Sequence, residues 1–272
     1  MLASQEFRGL WHRSLLATPE GVRDMGTQVR WLQGPSLFVD LRQPAGLAAR
    51  LSGACRLDAL TAADCLALAE QQGFAGRFEA RDGAFEWVRR LDFQPPPALP
   101  DLGRLFWRDA ILVEEGVVQA YTEHWHREPG SDEAACGFWL RDPEHGIEGC
   151  LLRAGDWFGY MRGRPEALPG ASLTVLVEAA STLVAMQELI NCEISLGKVS
   201  AGWRIERSSL PYRVGCRMEM RPKGERLEVL EPDAAARPTT RHWEILHQEG
   251  DVSMILNAIS QLADRARPLN GF

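Results

Sequence analysis

Long apolar runs, paired cysteines and nucleotide-binding loops are all missing from this chain of 272 residues. No stretch approaches the ~20 consecutive apolar residues that a membrane-spanning helix needs, so no membrane span is expected. Between Met1 and Arg13, the residues Glu6, Arg8, His12 and Arg13 stand where a secretory leader requires an apolar core; the expected compartment is the cytoplasm. The six cysteines, Cys55, Cys65, Cys136, Cys150, Cys192 and Cys216, form no CxxC pair and no short Cys/His ligand spacing. They read as small buried apolar residues of a reducing compartment. GxxxxGK[ST], strand-to-helix GxGxxG, GxSxG and HExxH are also absent, which removes the common cofactor and hydrolase classes.

Positive charge is in deficit as well. A formal net charge of −7 gives an average field that repels phosphates, so no nucleic acid is expected as a partner. The pairs Arg89/Arg90 and Arg204/Arg207 read as exposed arginines on half-buried strands.

What is present describes a folded protein. Apolar residues make up 45% and charged residues 25%, ordinary proportions for a globular chain, and the length suits one large domain or two of common size. Tryptophan is heavily used, at nine residues, mostly within short alternating segments. Large aromatics suit pleated, half-buried surfaces.

Four short motifs recur in the same order about 120 residues further along the chain, a period of domain size. Gly9-Leu10-Trp11-His12-Arg13 is echoed by Gly137-Phe138-Trp139-Leu140-Arg141, and Phe38-Val39-Asp40-Leu41-Arg42 by Phe158-Gly159-Tyr160-Met161-Arg162. Trp87-Val88-Arg89-Arg90-Leu91 is answered more loosely by Trp203-Arg204-Ile205-Glu206-Arg207, and Thr122-Glu123-His124-Trp125 by Thr240-Arg241-His242-Trp243. The turn-rich stretch Pro129-Gly130-Ser131-Asp132 marks the boundary, giving expected domains over 1–131 and 132–272.

Both halves alternate with period two, the mark of a sheet with one face on a core. Segments 27–32 and 36–42 flank the Gly34-Pro35 turn. Phe74, Gly76, Phe78 and Ala80 share a face, and after Asp82-Gly83 so do Phe85, Trp87, Arg89 and Leu91. The second half offers strands over 149–153, 156–162, 191–199, 203–207, 226–230 and 241–247. Helices are expected over 61–71, capped by Thr61 and Asp64, and over 252–265, where Val252, Ile255, Leu256, Ile259 and Leu262 form a stripe behind a capping Asp251. Segment 172–190 reads as a hairpin or a buried helix; the β-branched Thr174, Val175, Val177 and Val184 tip it towards strands.

The opening G-x-W, the strand Tyr121-x-Glu123-x-Trp125, and the run Ile194-Ser195-Leu196-Gly197 leading to Trp203 and Ser209-Leu210-Pro211 resemble calycin barrels, the lipocalin, fatty-acid-binding and nitrobindin group. The two-copy build is similar to a fungal family, named for interaction with a casein-kinase homologue, that has two lipocalin-like barrels. The resemblance implies an all-β fold of two tandem antiparallel barrels with a few short helices. It implies little about activity, because barrels host many functions. Segment 251–272 contains no histidine, so the haem ligand of nitrobindins is not carried over, and no cofactor is assigned.

Residues 121–126 carry the candidate chemistry. Tyr121, Glu123 and Trp125 on one strand face would place a carboxylate among aromatics inside the barrel, with Arg42 or Arg89 as charge partner. These five residues are the candidate ligand-binding set, although such pairs often serve only to close a barrel interior. On the opposite face, His124 and His126 could ligate a metal, given a third ligand such as Glu114, Glu115, His242 or His247; with Trp125 in the core, both imidazoles would face solvent. Three readings follow: a protein holding a small, partly apolar or amphipathic ligand in the first barrel, a protein-interaction module with filled barrels, and a metal-dependent enzyme using the His-x-His pair.

Overall fold

The computed structural model describes residues 4–51, 53–170 and 172–265, and it is mostly β. The first half supplies nine strands: β1 (Gly9–Ala17), β2 (Arg23–Asp24), β3 (Gln28–Gln33), β4 (Leu37–Gln43), β5 (Gln72–Arg81), β6 (Ala84–Asp92), β7 (Leu102–Arg108), β8 (Ile111–Gly116) and β9 (Thr122–Arg127). All pair antiparallel in the order β2-β1-β3-β4-β5-β6-β7-β8-β9, and β9 returns to β1 to close an eight-stranded barrel with β2 as an appendage. Closure removes the free edges that would otherwise invite aggregation.

The second half supplies β10 (Ala135–Asp142), β11 (Ile147–Ala154), β12 (Trp157–Arg162), β13 (Glu193–Lys198), β14 (Arg204–Ser208), β15 (Glu219–Lys223), β16 (Arg226–Pro232) and β17 (Pro238–Gly250). They form one curled sheet, β14-β13-β12-β11-β10-β17-β16-β15. Its two ends meet at an isolated bridge between Arg204 and Arg217. Strand for strand, this is the up-and-down order of the first barrel.

Helices fill the same connection in each half. Between β4 and β5 lie α1 (Leu47–Arg50) and α2 (Ala62–Ala69); between β12 and β13 lie α3 (Leu173–Ala179) and α4 (Leu183–Ile190). Helix α2 begins in the expected capping box: the Thr61 side chain accepts from the Asp64 backbone N–H while Asp64 accepts from that of Thr61. Segment 172–190 corrects the strand expectation. Buried Leu173 and Val177, four residues apart, give α3 an inward face, and Thr182 caps α4 by accepting from the Ala185 N–H. The two helices pack on α2, and that burial overrides β-branched propensity. The C-terminal helix α5 (Ser253–Arg265) forms as expected, with the Ser253 N–H donating to Asp251. Its Ile255 and Ile259 plug the second barrel, while the Leu262 side chain lies outside the described residues. No helix among the described residues is long and apolar enough to cross a membrane.

Three apolar cores result. The first barrel is packed with Phe7, Trp11, Trp31, Phe38, Phe74, Phe78, Phe85, Trp87 and Trp125. Trp31 makes edge contacts with Trp87 and Trp125 at centroid distances of 5.4 and 5.6 Å, a geometry that adds to simple burial. The second barrel is filled by Phe138, Phe158, Trp203, Trp243 and their neighbours. A third core lies between the barrels, where Leu32, Val39 and Leu41 from β3 and β4 meet Leu152, Met161, Ile194 and Leu196 from β11 to β13. Gly159 belongs to this layer: a Cβ there would sit 3.0 Å from Leu32 and 3.2 Å from Leu196, so the missing side chain lets the sheets approach.

Two expected faces shift. A bulge opposite Ala75 and Gly76 inserts Arg90 into β6, so Phe85 and Trp87 point inward while Leu91 turns to the layer between the barrels. Such one-residue insertions flip every later side chain. The opening echo is also out of phase: Trp11 is inside its barrel, whereas Trp139 faces the intervening layer and donates to Glu148 at 2.8 Å.

Polar clamps fix the barrels at both ends of the shared layer. The Glu249 carboxylate of β17 accepts from the Ser36 and Leu37 backbone N–H groups at 3.0 and 2.8 Å and from the Ser36 hydroxyl. At the other end, Gln43 and Gln71 donate to the Ser208 and Ser209 carbonyls at 3.0 Å each. Glu249→Ala strips the turn between β3 and β4 of its acceptors. It is expected to cost about 1–3 kcal/mol, read as a lower urea midpoint at unchanged slope.

Candidate functional site

The strands of the first barrel change character along their length. Near Phe7 the interior is aromatic, and towards the opposite end the same inward positions become charged. Period two puts Arg13 in line with Trp11, Asp40 and Arg42 with Phe38, Arg89 with Trp87, and Glu123 with Trp125. Phe74 marks the transition, with the Arg89 guanidinium 3.5 Å and that of Arg42 5.0 Å from its ring centroid. Beyond it lies a cup of about 450 Å³ open to solvent, lined among others by Arg13, Arg42, Arg89, Asp101, Tyr121 and Glu123.

Within the cup, Arg13 bridges Glu123 at 2.5 Å and Asp24 at 2.6 Å. Arg42 holds Asp40 at 2.8 Å and reaches Glu123 only at 3.9 Å. Arg89 bonds Asp101 at 2.5 Å and Asp92 at 3.4 Å. Glu114 has no arginine of its own: the Tyr121 hydroxyl donates to it at 2.6 Å and the Trp125 indole N–H at 3.0 Å. Three guanidinium groups thus serve six carboxyls: Asp24, Asp101 and Glu123 line the cavity together with Glu70, while Asp40, Asp92 and Glu114 bond its lining residues Arg42, Arg89 and Tyr121 from behind.

The imbalance marks the acids. Burial lifts Asp40 and Glu123 above the ordinary carboxylate range despite their arginines, and pushes Asp92 up to about 6. Burial, with the charges of Glu123 and Asp101 added, raises Glu114 well above it. Burial and the Glu114 charge likewise raise the Tyr121 phenol. Asp24 goes the other way, because the Thr27 and Gly26 N–H groups and Arg13 outweigh its partial burial.

The second barrel carries a charged cluster at the same end, in which Asp142, Glu193 and Glu231 each hold an arginine, while Glu144, Glu188 and Asp233 add further acids to the cavity wall. Arg162 and Arg241 share Glu231 at 3.5 and 2.9 Å, Arg241 also bonds Asp142, and Arg213 holds Glu193 at 2.8 Å. Burial opposes ionisation of Glu231, but Arg162 and Arg241 keep it below the usual range. This cavity is smaller, about 260 Å³, and is lined in part by Leu57 from the first half.

The structure brings Arg42, Arg89, Tyr121 and Glu123 together around one cavity, while Trp125 lies beneath it in the aromatic core. Arg13, the direct partner of Glu123, was missed, as were Asp24, Asp40, Asp92 and Asp101. Arg13 and Asp40 carried a signal, since each alternates in phase with an inward aromatic; Asp101 ends a proline-rich loop and carried none. His124 and His126 lie on the outer face. There His126 stacks on His12 at 5.1 Å and its Nε2 is 2.8 Å from the Ser14 hydroxyl. Glu114 points inside, and His242 and His247 belong to the other barrel. Among the described residues, no three His, Cys, Asp or Glu side chains are grouped to hold a metal ion.

Asp92, which bonds the cup's Arg89 from the neighbouring cavity, gives the protein a pH dependence of defined sign. In the unfolded chain it titrates near ~3.9; in the fold it does so at about 6. Between these values the native state holds a proton that the unfolded state has released, so this stabilisation is lost as pH rises from about 4 to 6. Asp92→Asn is expected to melt a few degrees above the parent at pH 7.5 and level with it near pH 4, by differential scanning calorimetry.

No family model matches the chain, and no curated protein matches it in sequence. Among solved structures it is similar to YLR301w, an uncharacterised protein from Saccharomyces cerevisiae, with a TM-score of 0.51 and 12% identity over 89% of this chain and 98% of that one. At that identity the likeness extends to the fold alone.

Proposed function

We propose that this protein is a binding protein whose site is the charged cup of the first barrel, and that the cup takes a positively charged group. The observation that carries this reading is the buried Glu114, which has no arginine of its own and is bonded by Tyr121 on the wall of the larger solvent-open cavity, whereas Glu231, Asp142 and Glu193 of the second barrel each hold an arginine. Two barrels in the same strand order, each charged at the same end, fit a duplicated calycin-like ancestor. Buried acids that each hold an arginine close a barrel interior and leave no electrostatic call for a ligand among themselves. The first cluster is relieved either by taking up protons or by admitting a cation.

The ligand so inferred is more polar than the partly apolar one expected from sequence. Aromatic side chains fill the barrel below Phe74, and the space above them is lined by charges. Pockets of this kind orient a ligand through a few convergent polar groups.

The test is calorimetric titration of the full chain with agmatine and with acetyl-arginine amide, using glutamate as the anionic control. Saturable binding of the cations with release of protons is expected, stronger at pH 8 than at pH 5.5. Glu123→Gln is expected to weaken it about tenfold, close to 1.4 kcal/mol, while Glu231→Gln in the second barrel leaves it unchanged. Absence of binding by both cations, or equal binding by Glu123→Gln, would refute the proposal.

A further inference from the structure

The connections that line the cup also carry exposed apolar side chains, here called its rim, and the pairing narrows the class of ligand. Three connections line the cavity: segment 18–27 through Thr18, Asp24 and Thr27, segment 93–101 through Asp101, and segment 117–121 through Gln119, Ala120 and Tyr121. Each also carries large apolar side chains out into solvent. Val22 is 56% exposed, Met25 75%, Leu99 49%, Val117 38% and Val118 42%. These five are nearly half of the eleven exposed large apolar side chains among the described residues, although the three connections are a small part of the chain. Scattered single apolar residues need no explanation, whereas a group of them around a polar cavity marks an interaction site.

From this we infer that the occupant of the cup is a lysine or arginine side chain of a partner protein, presented on a segment whose neighbouring residues are apolar. The inference rests on the cup reading above and adds the rim to it. A free small cation would use the carboxyls and leave Val22, Met25 and Val118 bare. A basic side chain inserted from an apolar segment satisfies both, with a desolvated charged anchor at the centre and apolar contact around it. Charge complementarity selects this occupant over others with an apolar face. Anionic lipid surfaces and nucleic acids would bring negative charge to a mouth that already has too much of it. A long stem with a charged tip also suits a cup whose polar lining begins below the rim.

The experiment is titration of the full chain with two probes, acetyl-arginine amide and a seven-residue peptide carrying one central arginine between apolar neighbours. The peptide is expected to bind at least about tenfold more tightly, a difference near 1.4 kcal/mol. The combined variant Val22→Ser, Met25→Ser, Val118→Ser is expected to abolish that advantage without changing the affinity for acetyl-arginine amide. All three side chains are exposed, so an unchanged melting temperature verifies the fold. If the peptide binds no better than the amide, or the variant keeps the peptide's advantage, the rim inference is overturned and the cup reading stands. If neither probe binds, both fall together. Rim-dependent sedimentation with phosphatidylserine vesicles would overturn the inference in favour of a lipid surface.

Discussion

Strand β4 is buried on both faces, and the molecule is organised around that fact. On one side Val39 and Leu41 press into the layer shared with β11 to β13; on the other Phe38, Asp40 and Arg42 line the first barrel. The apolar layer fixes the strand in place, and the strand in turn fixes where its charged residues stand. Burying apolar area is the dominant favourable term in folding, and here it also holds Asp40 away from water, where an unpaired charge is costly, with Arg42 as its partner on the wall of the cup. The polar cup is therefore a product of the contact between barrels as much as of the barrel that contains it.

Much of the fold was legible because strand periodicity survives in single segments. The turns at Gly34-Pro35 and Asp82-Gly83, the capping box at Thr61, and the stripe of α5 are local signals, and each describes a local structure. What was hidden depended on distant chain. Segment 172–190 became helical because α2 offers a surface to pack on, and the bulge at Arg90 changed which way Leu91 faces without altering composition. Strand β15, whose sequence Glu219-Met220-Arg221-Pro222-Lys223 holds one buried side chain, carries too little apolar alternation to be seen. The site was legible in part for the same reason. Tyr121, Glu123, Arg42 and Arg89 sit on strands whose inward aromatics announce the phase, while Asp101 arrives from a loop whose path no periodicity describes.

The two halves share an architecture and differ in electrical character. The final strand of the first barrel turns Glu123 inward, and the corresponding strand of the second turns Arg241 inward. Each is followed two residues later by an inward tryptophan, Trp125 or Trp243. Reversing one charge in a cluster of this size separates a network in which Glu231, Asp142 and Glu193 each hold an arginine from one in which Glu114 has none. Low local dielectric amplifies the consequence, since buried polar networks stabilise when complete and are costly when they are not. This contrast within one chain is the reason for placing the binding reading in the first barrel.

The turn Leu57–Ala59 belongs by sequence to the first half, yet Leu57 lines the second cavity and the Asp58 N–H donates to the Ala234 carbonyl at 3.0 Å. A lone copy of the second half would thus stand with its opening uncovered and the outer surface of β11 to β13 wet. The halves are mutually dependent, and severing the chain between β9 and β10 would leave two incomplete objects instead of releasing two proteins.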